Sequence, residues 1–170
     1  MILGLGVDVC EVARVRRALE APSGARFRAR VFTPAEQAYC EARRRGRFAS
    51  YAARFAAKEA GMKALGTGWA QGVGWQDFEV VRRAGAPPAL VLHGEAAALA
   101  RRRGMVRWHL ALSHAALGAV ATVVVEGGVR RAGAGAKAPR RGGGAGSARP
   151  RPRARRRARA ASRGSSGSRC

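Results

Sequence analysis

The sequence predicts an α+β fold, with a mainly antiparallel sheet and one long helix. Three patterns carry that prediction. Large aliphatics alternate with glycine from Ile2 to Val9, the period of a strand. The run from about Phe48 to Leu65 has helical composition and stops at Gly66-Thr67-Gly68, a helix-ending signal. Two further strand-like runs, 107–112 and 118–126, are joined through Ser113-His114-Ala115-Ala116-Leu117, as in a hairpin.

The elements follow in order. The first strand puts Leu3, Leu5, Val7 and Val9 on one side and Gly4, Gly6 and Asp8 on the other, so Asp8 ends it on the less apolar side. A helix comes next, with Val12, Val15 and Leu19 inward and Arg14, Arg16 and Arg17 largely outward. Ala21 to Arg30 reads as a basic loop. Thr33-Pro34-Ala35-Glu36 is a strong helix start, with Thr as N-cap, Pro at N1 and Glu at N3; that helix runs to about Arg44. A basic break at Arg43 to Arg47 precedes the long helix. Phe78 to Arg82 and Ala89 to Leu92 are strands around the turn Gly85-Ala86-Pro87-Pro88, and Gly94 to Arg103 is a short helix.

Charge divides the chain in two. Of 33 basic and 10 acidic residues, 14 bases and no acid follow Gly127, so residues 1–127 carry +9 of the net +23. Residues 128–170 are Arg, Ala, Gly, Ser and Pro with Val129 the one large aliphatic, too little apolar surface to offset the entropy of ordering. We therefore expect a folded domain at 1–127 and a disordered basic tail at 128–170. The cysteines, Cys10, Cys40 and Cys170, have neither metal-ligand nor redox spacing, and their odd number argues against a disulfide framework. Met1 to Asp8 lacks the basic start of a signal peptide, and the longest apolar run, Leu117 to Val125, is far below the ~20 residues of a spanning helix. These features predict a soluble, cytoplasmic protein with no membrane partner.

The chemistry concentrates in Arg54-Phe55-Ala56-Ala57-Lys58-Glu59-Ala60-Gly61-Met62-Lys63. Tyr51, Phe55 and Met62 mark an apolar face, and Glu59 falls on it. A carboxylate there needs a cation or a metal. One acid among Arg54, Lys58 and Lys63 is the composition of a site for a metal bound to a polyphosphate. Lysine occurs only at 58, 63 and 137, and an ammonium is not interchangeable with a guanidinium at a phosphate. The plain alternative is an exposed Glu59–Lys63 pair four residues apart. Asp8 has its own alternative, since with Glu11 it resembles a capping box. Placed beside Glu59, it would complete a two-carboxylate Mg²⁺ site. Ser113 and His114 diverge as strand neighbours, which disfavours a Ser–His nucleophile pair; His114 is either a phosphate contact or a turn residue without a role.

Gly4-Leu5-Gly6-Val7-Asp8-Val9 with Glu11, Arg30-Val31-Phe32-Thr33-Pro34-Ala35-Glu36, Arg54 to Gly68, Trp75-Gln76-Asp77-Phe78-Glu79 and Leu112-Ser113-His114 together resemble the holo-acyl-carrier-protein synthase family of 4′-phosphopantetheinyl transferases, over residues 1–126. The resemblance implies that family's fold and the transfer of phosphopantetheine from coenzyme A to a serine of apo-acyl carrier protein, as in fatty acid or polyketide biosynthesis. It implies Mg²⁺ held by Asp8 and Glu59, and catalysis by Glu59 and Lys63, with Lys63 on the phosphates. Lys58 would join the phosphate-binding cations, and Arg54 and His114 would hold the nucleotide end with its 3′-phosphate. Either Glu59 or a metal-bound water would take the serine proton. The acidic carrier protein would dock on Arg14, Arg17, Arg26 and Arg28. A homotrimer with active sites between subunits is expected.

Two departures stand out. Leu117-Gly118 replace an aromatic that the family usually carries after the Ser-His pair, and Ala86 stands where it usually carries a lysine. The rival class is a nucleic-acid-binding protein, which the net charge favours. More than half of that charge sits in the tail, where non-specific nucleic-acid contact is expected, and the rest of the chain shows no aromatic platform.

Overall fold

The computed structural model describes residues 1–68 and 71–128, all within one compact unit. The tail expected at 128–170 lies, apart from Gly128, outside the described residues. Strand β1 (Ile2–Glu11), helices α1 (Val12–Glu20), α2 (Gly24–Val31), α3 (Pro34–Glu41) and α4 (Arg47–Leu65), strands β2 (Phe78–Val81) and β3 (Ala89–Leu92), helix α5 (Gly94–Arg102), and strands β4 (Met105–His114) and β5 (Gly118–Gly127) follow in order. The fold is α+β. A three-stranded sheet has the order β1-β5-β4, and β2 pairs with β3; every pairing is antiparallel. Among the described residues no helix is long and apolar enough to cross a membrane.

The local rules account for most boundaries. The Thr33 side chain accepts from the Glu36 N–H while Glu36 accepts from the Thr33 N–H, a complete capping box ahead of Pro34. Gly66 closes α4 at φ 77°, its N–H bonding to the Met62 and Lys63 carbonyls, a left-handed turn that favours glycine. Residues 24–31 are helical, which corrects the basic loop expected there. Arginine and alanine are good helix formers, and Phe27 and Val31, four apart, give the segment an inward side: Val31 is buried and Phe27 packs against the core.

Strand β1 is turned the other way from what hydrophobicity suggests. Leu5 and Val9 are 63% and 66% exposed, whereas Gly4 and Gly6 lie under α4. A Cβ on Gly4 would run into the Ala64 carbonyl, and one on Gly6 into the Ala60 carbonyl, deep inside van der Waals contact. The helix answers with Ala56, Ala57, Ala60 and Ala64, and β5 with Ala119 and Ala121, all buried. Small residues on both sides let helix and sheet close to backbone contact. Cross-strand register then lines Asp8 with Ala121 and Leu112, and Cys10 with Ala119 and His114, on the helix-facing side.

Gly6→Ala should therefore destabilise the fold by about 1–3 kcal/mol, as overpacking of a close contact does. Gly74→Ala, where an added Cβ meets nothing within 4 Å, should shift stability by under ~0.5 kcal/mol. Denaturant unfolding of both variants decides; equal midpoints would contradict the close-approach account.

Candidate functional site

Helix α4 is covered almost all round, so its polar side chains differ by their position about the axis. Phe55, Glu59 and Lys63, at four-residue spacing, form the less covered stripe: Phe55 and Glu59 are half-buried and Lys63 is exposed. Met62 is fully buried, so Glu59 does not share its face as the periodicity suggested. Asp8 stands across from this stripe in mid-strand, since β1 continues to Glu11. Glu11 itself is the N-cap residue of α1 and makes no side-chain cap, so Asp8 is not half of a capping box.

The Lys63 ammonium donates to Asp8 Oδ1 at 2.9 Å and to the Val7 carbonyl at 3.0 Å. It thus bridges to a residue 55 positions away and not to Glu59 on its own helix. Glu59 has no salt bridge among the described residues. Burial raises its pKa above the ordinary glutamate value, and the Asp8 charge adds to the rise; Lys63 and Arg14 oppose it. Two carboxylates close enough to repel, one of them bonded to Lys63 and neither sharing a bond with the other, stand together in a half-covered site. Among the described residues no three His, Cys, Asp or Glu side chains gather around a metal position. Two carboxylate ligands suit Mg²⁺, which fills its octahedron with waters and phosphate oxygens and needs no all-protein cage.

Lys58 does not face a ligand, which corrects its placement among phosphate-binding residues. Its side chain is 0% exposed and pairs with Glu36 Oε2 at 2.7 Å, with further bonds to the carbonyls of Trp75 (3.2 Å) and Phe78. Burial lowers its pKa, and Glu36 counters that shift. The second Glu36 oxygen accepts from the Val80 N–H at 2.9 Å, and Thr33 Oγ1 donates to Glu79, which His93 meets at 2.8 Å. This internal network ties α3, α4 and β2 together. The spacing of Lys58 gave no sign of it, because its partner lies 22 residues earlier.

Arg54 is the opposite case. It is 4% exposed, yet no acid pairs with it among the described residues, and its Nε has no hydrogen-bond partner. Nη1 donates to the Ser50 carbonyl at 3.3 Å, and the guanidinium also bonds the Cys40 sulfur. The guanidinium lies against a cavity of about 210 Å³ that also takes in Tyr39, Arg82 and His114. The two residues expected to work together, Arg54 and His114, do line one pocket. Arg82 and Tyr39 join them, and nothing in their spacing announced it. A buried cation without a counter-ion, beside a second arginine and a histidine, is a seat for an anion.

The basic residues of α1 and α2 divide. Arg14 and Arg17 are exposed on α1 and Arg26 on α2. Arg14 stands over the Phe55 ring, 5.9 Å from its centroid, and its charge reaches Glu59, so it borders the acid pair. Arg28 is bonded to Glu41 at 3.3 Å and is the least free of the four. Burial pushes the Cys10 thiol up to about 11 and the Cys40 thiol to about 12, which leaves both protonated near neutrality and unsuited to nucleophilic work.

Residues 4–121 match the 4′-phosphopantetheinyl transferase superfamily. The chain is 58% identical over 129 residues to the holo-[acyl-carrier-protein] synthase of Anaeromyxobacter dehalogenans, covering 75% of this chain and 98% of that protein. The crystal structure of a holo-(acyl-carrier-protein) synthase from Bacillus anthracis in complex with CoA (3′,5′-ADP) superposes with a TM-score of 0.61 at 32% identity, covering 75% of this chain and 99% of that one. The holo-[acyl-carrier-protein] synthase from Neisseria meningitidis superposes with a TM-score of 0.67 at 29% identity, covering 74% and 99%.

The two buried cations of α4 should respond oppositely to removal. Lys58→Met leaves Glu36 charged and unpaired in the interior and should lower stability by about 3–5 kcal/mol. Arg54→Met discards a buried charge that no acid among the described residues pairs with, and should leave the unfolding midpoint unchanged or raise it. A loss at Arg54→Met as large as at Lys58→Met would show that Arg54 serves the fold and not a ligand.

Proposed function

We propose that this chain, which belongs to the 4′-phosphopantetheinyl transferase superfamily, transfers the 4′-phosphopantetheine group of coenzyme A to a serine of apo-acyl carrier protein. The products are holo-acyl carrier protein and adenosine 3′,5′-bisphosphate, and the reaction serves fatty acid biosynthesis. The serine oxygen bonds to the pantetheine-side phosphorus, the pyrophosphate bridge breaks to release adenosine 3′,5′-bisphosphate, and the serine proton passes to the Glu59 carboxylate or to a water beside it. The carrying observation is the contrast along α4: a carboxylate pair with an exposed lysine on one side, an unpaired buried arginine in a pocket on another. Coenzyme A offers a matching pair of anions, a pyrophosphate and a 3′-phosphate.

Asp8 and Glu59 hold Mg²⁺ in this reading, and the ion supplies charge neutralisation at the pyrophosphate. Lys63, exposed and within reach of the same carboxylates, turns its ammonium to the phosphates and steadies the charge of the departing nucleotide. Arg54 and His114 bind the 3′-phosphate. Arg14, with Arg17 and Arg26 near it, receives the acidic carrier protein beside Glu59.

The working unit is a homotrimer in the cytoplasm. Glu59 follows Arg54 by five residues, which puts them roughly 140° apart about the helix axis. One coenzyme A that uses both groups is therefore best shared between two copies. The outer sheet face offers the contact: Leu5, Val7 and Val9 of β1 and Val120 of β5 are exposed together, a patch of the kind that marks an interface.

Incubation with apo-acyl carrier protein, coenzyme A and Mg²⁺ should add one phosphopantetheine to the carrier, read by intact mass. Glu59→Gln should cut the rate by ~100-fold or more, because a neutral amide is a poor Mg²⁺ ligand; ordinary turnover by that variant would remove the metal role. Val7→Asp should convert trimer to monomer in analytical ultracentrifugation and abolish turnover while the circular dichroism of the fold persists. A fully active Val7→Asp monomer would refute the shared site.

A further inference from the structure

We infer that Tyr39 is the positioning residue that makes the nucleotide pocket selective for a 3′-phosphate, acting through Arg54. The inference rests on the coenzyme A reading above. Arg54 has a long side chain, and a planar guanidinium recognises a phosphate best when its plane is fixed. Among the described residues no carboxylate fixes it. Its guanidinium carbon lies 3.9 Å from the centroid of the Tyr39 ring, and Ser50 supplies the one backbone bond, at 3.3 Å. The Cys40 sulfur takes a further side-chain bond from Arg54, and the ring is the flat surface against which the guanidinium lies; an aromatic face holds a planar cation without consuming its donors. Nε itself is buried and has no partner, so the guanidinium keeps unmet hydrogen-bonding capacity.

A second cation meets the same ring. The Arg43 guanidinium carbon stands 4.6 Å from the centroid, and its Nη2 donates to the Tyr39 hydroxyl at 2.5 Å. Two positive charges therefore converge on one aromatic, and Arg82 and His114 line the adjoining cavity. Like charges so gathered repel, and no acid among the described residues relieves Arg54. A dianionic phosphate monoester satisfies this cluster better than a neutral hydroxyl. Selectivity for coenzyme A over dephospho-coenzyme A, whose 3′-position carries only a hydroxyl, follows.

The mass-spectrometric transfer assay, run with each donor, tests this. The unsubstituted chain should favour coenzyme A through KM. Tyr39→Leu should reduce that preference about tenfold, the worth of a desolvated cation–π contact, with kcat and the KM for dephospho-coenzyme A nearly unchanged. Tyr39→Phe keeps the ring face and should keep most of the preference. In an Arg54→Met background, Tyr39→Leu should have no further effect. Calorimetric titration with adenosine 3′,5′-bisphosphate and with adenosine 5′-monophosphate should show the same loss without turnover. The inference is overturned if Tyr39→Leu leaves the preference intact, if it weakens both donors equally, or if it still acts when Arg54 is absent. An unsubstituted chain that transfers from both donors equally would overturn it as well. A chain that makes no holo-carrier protein at all would instead overturn the functional reading on which it stands.

Discussion

The contact between β1 and α4 governs the rest of the structure. Gly4 and Gly6 present bare backbone to the carbonyls of Ala64 and Ala60, so strand and helix approach without intervening side chains. That closeness brings the Lys63 ammonium to Asp8 and to the Val7 carbonyl, 2.9 and 3.0 Å away. A bulkier pair of faces would hold helix and sheet near the usual ~10 Å layer spacing and leave the two carboxylates unable to influence one another. Burial is the main cause of the raised Glu59 pKa, and the Asp8 repulsion that adds to it is a consequence of glycine placement in a strand some fifty residues earlier.

Three cations on one helix meet three different environments, and those differences separate architecture from chemistry. Lys58 is buried and paired with Glu36, with two carbonyls completing its bonds; it acts as an internal strut. Arg54 is almost as buried and has no acid partner among the described residues. Lys63 is exposed and already close to carboxylates. A buried charge with its bonds satisfied has nothing left to offer a ligand, whereas a buried charge with bonds unmade raises the energy of the free protein and lowers that of the complex. Polarity within the run from Arg54 to Lys63 marks the region; partner geometry assigns the roles.

Much of this was legible in the sequence, for identifiable reasons. The Thr33–Glu36 box, the Gly66 stop and the C-terminal hairpin are set by neighbours in the chain, and they fall where spacing puts them. Asp8, Glu59 and Lys63 were readable as a set through resemblance of motifs, and the structure brings them together. Lys58 was misplaced because its partner comes from another element, and helical spacing describes only a helix's own face. The helix at 24–31 was missed because Arg-rich composition resembles a loop while Phe27 and Val31 supply just two inward contacts. Tyr39 and Arg82 were invisible as site residues because the cavity they line is assembled from α3, α4, β2 with the turn after it, and β4.

The orientation of β1 carries one more step of reasoning. A strand with glycine toward its helix and Leu5, Val7 and Val9 toward solvent inverts the usual one-sided pattern, in which large aliphatics face the core. The inversion is costly for a lone chain, since exposed aliphatics forgo roughly 25 cal/mol for each Å² left in water. It is economical for a sheet covered on both faces, with a close-packed helix on one and other copies of the chain on the other. In the proposed trimer the same choice of residues therefore does two things. Small side chains inward set the distance between Asp8 and the Glu59–Lys63 stripe, and large side chains outward gather the copies between which a ligand reaches both that stripe and Arg54. Assembly and catalytic geometry then depend on one alternation in one strand, so substitutions on its two faces should fail in different ways: inward ones by unfolding, outward ones by dissociation.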